Sequence, residues 1–402
     1  MNAAVLPMGN MKIRRIIYLF EEPLNARDHL RFGVGIWKDL GFDIEVWDLS
    51  LIAHPELPRG LSPVGGEVTE KVTVFKDASD MRANLSTLTG RDLVINFLTF
   101  DHWNLEAYRS LSCSCASYVV QHANAVPDMS YKPCDRVGIQ GFFRKLTKLF
   151  ERRTWKLLLL RLPRQLLGVR PPRLLLAGGE KSIESQYFPV DRNTEILRLH
   201  TFDYDIYLKE RGLAVQAQDI AVFLDEFLPY HSDYAFVGEK NPVEPQHYYD
   251  LLNTFFTKVE RETGLKVVIA AHPRSVYETM GDHFNGRSCV KGQTAALVRR
   301  SRMVLSHAST ALCFAILFEK PVVFISFSGV EDLWEGAYTK VMAEHFGKKP
   351  LYMDRPGDID WDFERTINAD LYARYKQLYI KTADSAEVPI WQGVADRVKR
   401  GF

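Results

Sequence analysis

The sequence has almost no net charge. Its 51 Lys and Arg against 50 Asp and Glu leave +1 over 402 residues, so there is no domain-wide basic surface of the kind that holds nucleic acid, and any anion site must be local. Cysteine is scarce and odd in number: Cys113, Cys115, Cys134, Cys289 and Cys313. The spacing Cys113-x-Cys115 is too tight for an ordinary disulfide or a zinc knuckle, which argues for reduced thiols and a cytoplasmic setting. Long apolar runs are missing too. None reaches the roughly 18 residues of a membrane span, and the apolar stretch Ile16 to Phe20 is too short for a secretory signal. The phosphate loop G-x-x-x-x-G-K-[ST], a G-x-G-x-x-G turn after the first strand and the H-E-x-x-H zinc pair are all absent, and the histidines are scattered. Neither a metal site nor a cofactor is expected.

What is present is enough apolar residue for two cores, 46% of the chain. Apolar runs of strand length alternate with longer segments of helical period, the pattern of α/β domains with parallel sheets. In the first part, Lys12 to Phe20, Phe42 to Trp47, Asp92 to Leu98 and Ala116 to Gln121 read as strands, with helices expected over Leu24 to Leu40 and Leu105 to Leu111. A second series follows His200: Asp219 to Leu224, Lys266 to Ala270, Arg302 to Ser306 and Pro321 to Ser326. Between its first two strands, Tyr248, Leu251, Leu252, Phe255 and Val259 recur at helical spacing and Gly264 supplies a stop. Helices are also expected over Ala308 to Phe318 and Val330 to Phe346. The expected division is a first domain over 1–195, a second over 196–385, and a C-terminal helix over 386–402 that crosses back onto the first domain.

The segment 142–176 stands apart, with ten Lys or Arg between Arg144 and Arg173 and one acid, Glu151. It reads either as a solvated helix face or as a basic, Leu- and Phe-bearing surface for anionic lipid. Glu151, set among cations, is expected to stay ionised. That suits a base, an electrostatic stabiliser or a salt-bridge partner.

In an open parallel sheet, ligands bind beyond the carboxyl ends of the strands. Four successive strand ends of the second domain carry polar groups: Asp225-Glu226, His272-Pro273-Arg274-Ser275, Ser306-His307-Ala308-Ser309-Thr310, and Ser326-Phe327-Ser328. Asp225 and Glu226 are candidate catalytic carboxylates. His272 is either a core histidine or a phosphate donor, and Ser306 or Ser309 either caps a helix or binds phosphate with Thr310. Asp203-Tyr204-Asp205 has the D-x-D form but reads as a helix start.

These residues resemble a known group. Asp225-Glu226, His272-Pro273 and Ser309-Thr310, the last leading to Lys320-Pro321-Val322-Val323, resemble the motifs of GT-B glycosyltransferases that use CMP-activated acidic sugars. Bacterial sialyltransferases carry an acidic-acidic-Gly, a His-Pro and a Ser-Ser or Ser-Thr motif, and the Kdo transferases of capsule and O-antigen assembly share that layout. The resemblance spans most of the second domain; the first matches only in its α/β pattern. Phe227 stands where sialyltransferases have Gly, and Asp225 with Glu151 looks like the carboxylate pair of the retaining β-Kdo transferases.

The resemblance implies two Rossmann-like domains with a cleft between them, the first on the acceptor side and the second on the donor side. It implies a transferase that moves Kdo from CMP-β-Kdo to a lipid-linked glycan acceptor, with peripheral membrane contact through 142–176 at the inner face of the cytoplasmic membrane. Asp225 would be the nucleophile of a double displacement with retention, with Glu151 as its partner. His272, Pro273, Arg274, Ser306, Ser309, Thr310 and Ser326 would hold the CMP phosphate, and Glu226 is a further candidate. The alternatives are an inverting sialyltransferase-like enzyme with Asp225 as general base, a polyol-phosphate transferase with a CDP-linked donor, and a non-catalytic glycan-binding or scaffold module.

Overall fold

The computed structural model describes residues 13–22, 31–53, 70–114, 116, 118–123, 126–127, 166–184, 190–231, 240–331 and 333–400. It divides into two compact units, one formed by Met1–Asn124, Arg136–Leu199 and Asp384–Phe402, the other by Ala125–Asp135 and His200–Ala383.

The first unit is built on a parallel sheet of β1 (Arg15–Phe20), β2 (Asp43–Asp48), β3 (Lys71–Val74), β4 (Asp92–Asn96), β5 (Tyr118–Ala123), β6 (Leu174–Ala177) and β7 (Glu195–Arg198), in the order β3-β2-β1-β4-β5-β6-β7. The second is built on β8 (Ile220–Leu224), β9 (Lys266–Ala271), β10 (Cys289–Lys291), β11 (Met303–Ser306), β12 (Val322–Ser326) and β13 (Leu351–Tyr352), ordered β10-β9-β8-β11-β12-β13 and also parallel. Strands β4, β8 and β12 are buried at every position. Continuous apolar runs of this kind form where helices cover both faces of a sheet. In β8 the alternation is direct: Ala221 and Phe223 join one core with Tyr248, Leu252, Phe255 and Phe256, while Val222 and Leu224 join the other with Leu312, Phe314 and Phe324.

The helix Pro245–Thr263 shows why the sequence pattern succeeded there. Glu244 accepts hydrogen bonds from the Gln246 and His247 amides, Pro245 opens the first turn, and Gly264 closes the helix with φ 72°. In the first unit, the helix Ile390–Lys399 buries Ile390, Trp391, Val394, Ala395 and Val398. Trp391 donates its indole N–H to Arg31 O at 3.0 Å, and Arg397 forks onto both oxygens of Glu195.

Several elements depart from expectation. Strands β3, β6, β7, β10 and β13 have no counterpart in the sequence reading. β3 is four residues long and largely exposed, and β13 is two residues long, so neither gives an apolar run long enough to read as a buried strand. β6 corrects the reading of 142–176 as one basic surface. Leu174, Leu175 and Leu176 are at most 1% exposed in the interior of the first sheet, and Leu167 and Val169 are buried. Pro171 and Pro172 stop any helix before them, and a run buried on both faces follows. The leucines 174–176 are therefore sheet interior, while Leu166, Arg170 and Arg173 are exposed; 142–165 lies outside the described residues. The helix expected from Ala308 begins only at Leu312, and that from Val330 at Trp334.

Candidate functional site

In the second sheet, β8 has β9 on one side and β11 on the other, so the connections leave it in opposite directions. Loops diverge at such a switch point and leave a crevice at the carboxyl ends. The residues immediately after β8 are Asp225 and Glu226.

Asp225 is 3% exposed and fully engaged. Oδ1 accepts the Phe227 amide at 2.9 Å and the Tyr277 hydroxyl at 3.2 Å, and Oδ2 accepts the His272 amide at 3.0 Å. Because Tyr277 spends its proton on Asp225, the 3.0 Å contact between the Tyr249 and Tyr277 hydroxyls has Tyr249 as donor. Burial raises the Asp225 carboxyl to about 6 in spite of these bonds. Burial also raises both tyrosine hydroxyls, which stay protonated donors.

The bond from Phe227 bends the chain sharply, and Phe227 takes φ 53°, a left-handed conformation that favours glycine. The strain, roughly 1–2 kcal/mol, is offset by burying that ring against Tyr230 and Tyr277, with centroids 5.0 and 5.2 Å away.

Residues His272 to Ser275 form a tight turn. Ser275 returns both its amide and its hydroxyl to His272 O, at 2.9 and 2.7 Å, and Pro273 supplies the fixed φ that the second position of such a turn prefers. The Arg274 amide donates to His272 Nδ1 at 3.2 Å. A backbone N–H only donates, so Nδ1 keeps its lone pair and the proton of the neutral ring is assigned to Nε2. His272 is thereby set up as a hydrogen-bond donor through Nε2, and accepting a proton there is incompatible with the bond at Nδ1. The His231 ring lies 5.8 Å from it, tilted by 53°.

Glu226 reaches the other side of the switch point. It is half-buried and its Oε1 accepts the Ala308 amide at 2.7 Å. Burial raises its carboxyl to about 7, with the negative charges of Asp225 and Glu335 adding to the rise and the Ala308 and Ser309 amides opposing it. Beneath this loop His307 is buried. Its Nδ1 donates to Ile325 O at 2.7 Å, so Nε2 accepts from the Tyr248 hydroxyl at 3.0 Å. Desolvation lowers this imidazole to about 4, and it stays neutral.

The structure thus brings Asp225, Glu226, His272, Pro273, Arg274, Ser309 and Thr310 to adjoining strand ends. Asp225, expected as a nucleophile, is 3% exposed and accepts hydrogen bonds at both oxygens. Two other expectations change. Ser306 and Ser326 were expected on the phosphate, but they are 0% and 3% exposed and lie below the loops. The Ser306 hydroxyl makes no hydrogen bond among the described residues. Ser309 and Thr310 were expected to open a helix, yet they sit in the turn before it. Ala311 holds the cap position without a side-chain bond, and its amide donates to Ser309 Oγ at 3.3 Å. Glu151 lies outside the described residues. Asp203 and Asp205 fall in the first turn of the helix Phe202–Arg211. Among the described residues, no group of three or more His, Cys, Asp or Glu is placed to hold a metal ion, and no helix is long and apolar enough to cross a membrane.

Sequence reasoning missed Tyr249, Tyr277 and His231, and gave His307 no role beyond its place at a strand end. Tyr248 had been counted only as part of an apolar stripe; its hydroxyl end carries the second role.

No protein-family model and no curated protein matches the chain. Among solved structures, the wall teichoic acid polymerase TagF, as the H444N variant soaked with CDPG, matches with a TM-score of 0.50 and 12% identity over 97% of this chain and 90% of that one. UGT2 of Phytolacca americana, complexed with UDP-2fluoro-glucose and pterostilbene, matches with a TM-score of 0.48 and 9% identity over 96% and 99%. MurG of Acinetobacter baumannii gives 0.44 and 11% over 96% and 99%. At such identities the likeness bears on fold. With two doubly wound parallel sheets, the chain has the α/β GT-B fold of two Rossmann-like domains.

Proposed function

We propose that the chain is a glycosyltransferase that takes a CMP-activated acidic sugar, CMP-Kdo foremost, and passes the sugar to a glycan hydroxyl. One observation carries this reading. Three motifs far apart in sequence are tied at one switch point by two hydrogen bonds, from the His272 amide to Asp225 across 47 positions and from the Ala308 amide to Glu226 across 82. The motifs so joined are those whose order and residue types resemble the CMP-sugar enzymes.

The chemistry of the donor is consistent with the parts. When the anomeric C–O bond breaks, negative charge grows on the departing phosphate, and donors held rigidly in place stabilise it most. His272 offers Nε2–H from a turn locked by Pro273 and Ser275, the exposed Arg274 offers a cation, and Ser309 and Thr310 offer hydroxyls. A cytidine site also fits a second reading, a CDP-linked polyol-phosphate donor; TagF, which shares the fold, was soaked with CDPG.

The test is a calorimetric titration with CMP and UMP, followed by displacement of CMP with CMP-Kdo, CMP-sialic acid and CDP-glycerol. CMP binding that CMP-Kdo displaces best supports the first reading, and displacement best by CDP-glycerol supports the second. Tighter binding of UMP than of CMP refutes both.

A further inference from the structure

Resting on the reading of this site as a CMP-sugar transferase, we infer that the carboxylate meeting the reacting centre is Glu226, as general base on the incoming hydroxyl, and that Asp225 is a positioning residue. The geometry of the two neighbours differs in kind. Asp225 is 3% exposed and accepts from three donors on two elements, the Phe227 amide, the Tyr277 hydroxyl and the His272 amide. Those bonds fix the loop after β8 to the His272 turn after β9. Glu226 is only half-buried, and its hydrogen bonds come from one side alone, the adjacent Ala308 and Ser309 amides of the loop after β11. It sits between the His272 turn and the Ser309 loop, where a sugar linked to a bound phosphate would lie.

The step balances as one displacement. The acceptor O–H gives its proton to the Glu226 carboxylate, and the oxygen's electron pair forms the bond to the anomeric carbon. The anomeric C–O bond to phosphate breaks, and its pair leaves with CMP, which accepts a hydrogen bond from His272 Nε2–H. A single displacement inverts configuration, in place of the retention implied by resemblance. The groups facing Glu226 favour this role. Asp225 beside it, Glu335 and Tyr338 from the helix Trp334–His345, and Tyr248 from the helix Pro245–Thr263 supply no cation. Its carboxyl, raised to about 7, is tuned near the working pH for proton transfer. The same basicity would slow its departure from a glycosyl ester.

The test follows CMP release from CMP-Kdo and from CMP-sialic acid, with water as acceptor and enzyme-free decay subtracted, in wild type, Glu226→Gln and Asp225→Asn. CMP affinity is measured in parallel by calorimetry, and folding by circular dichroism. The expected result is a loss of ~100-fold or more in Glu226→Gln, with CMP affinity held and the acid limb of the pH profile abolished. Asp225→Asn should keep that limb and act through weaker CMP binding. Glu226→Gln that keeps its rate or its acid limb overturns the inference, as does a Kdo adduct on Asp225 in intact-mass analysis. A wild type that binds CMP but releases none from either donor also overturns it, leaving the cytidine site standing. A wild type that binds no CMP removes the proposed function itself.

Discussion

Asp225→Asn should make the stability of the second unit depend less on pH, and the size of the change follows from the site. Burial raises the Asp225 carboxyl from 3.8 to about 6, so between those values the folded chain holds a proton that the unfolded chain has released. Stability then falls as pH rises through this window. At about 1.4 kcal/mol per pH unit, the full effect is about 3 kcal/mol, of which ~1.4 kcal/mol falls between about pH 5 and pH 8. Asparagine does not titrate, and its NH2 brings two donor hydrogens where the carboxyl group carries one at most, a fixed cost of ~1–3 kcal/mol. The variant should therefore be the less stable form at about pH 5, and the gap should narrow by ~1.4 kcal/mol by about pH 8. Glu226 responds in the same sense, because removing the neighbouring charge lowers its carboxyl. Hydrogen exchange at the β8 and β9 amides, run on both proteins at each pH, reads the difference directly. A gap that is constant with pH, or that widens as pH rises, refutes the assignment of Asp225 as a buried anchor.

Two further outcomes test the packing. Gly33 has φ 66°, and a Cβ there would lie 2.3 Å from the Trp391 ring, so Gly33→Ala should cost ~2–5 kcal/mol from overpacking and left-handed strain; thermal unfolding that shifts by less than a degree would contradict the docking of Trp391. His307 is held neutral by burial, lowered to about 4 from 6.5, so it contributes stability above about pH 6.5 that is lost as pH falls through about 4. His307→Asn should flatten that acid loss in urea unfolding, and an unchanged acid limb would mean that the imidazole titrates freely.

Much of the second unit was legible because its strands are long, apolar and buried on both faces, and because Pro245 and Gly264 punctuate its longest helix. The short or exposed strands β3, β10 and β13 leave no period to read. β6 was hidden by composition, since the cations around it drew attention away from three consecutive leucines. At the site, residue types singled out four strand ends, but Asp225 and Glu226 are neighbours with the same charge, and only tertiary placement shows that they differ in burial and in the donors that reach them. The Tyr249–Tyr277 relay and the Tyr248–His307 pair depend on tertiary placement, which no local spacing encodes. The left-handed backbone of Phe227 has no sequence signal either, since a residue with a large side chain gives no hint of φ 53°.

The most direct measurement is the affinity of CMP for wild type and for His272→Ala and His272→Gln. The expected result is saturable one-to-one binding to the wild type, weakened at least ~10-fold in His272→Ala by loss of a hydrogen bond to a charged phosphate, and partly restored in His272→Gln, whose amide can donate in place of Nε2–H. Binding of equal strength in all three, or no binding to the wild type, would contradict a cytidine-phosphate site at this switch point.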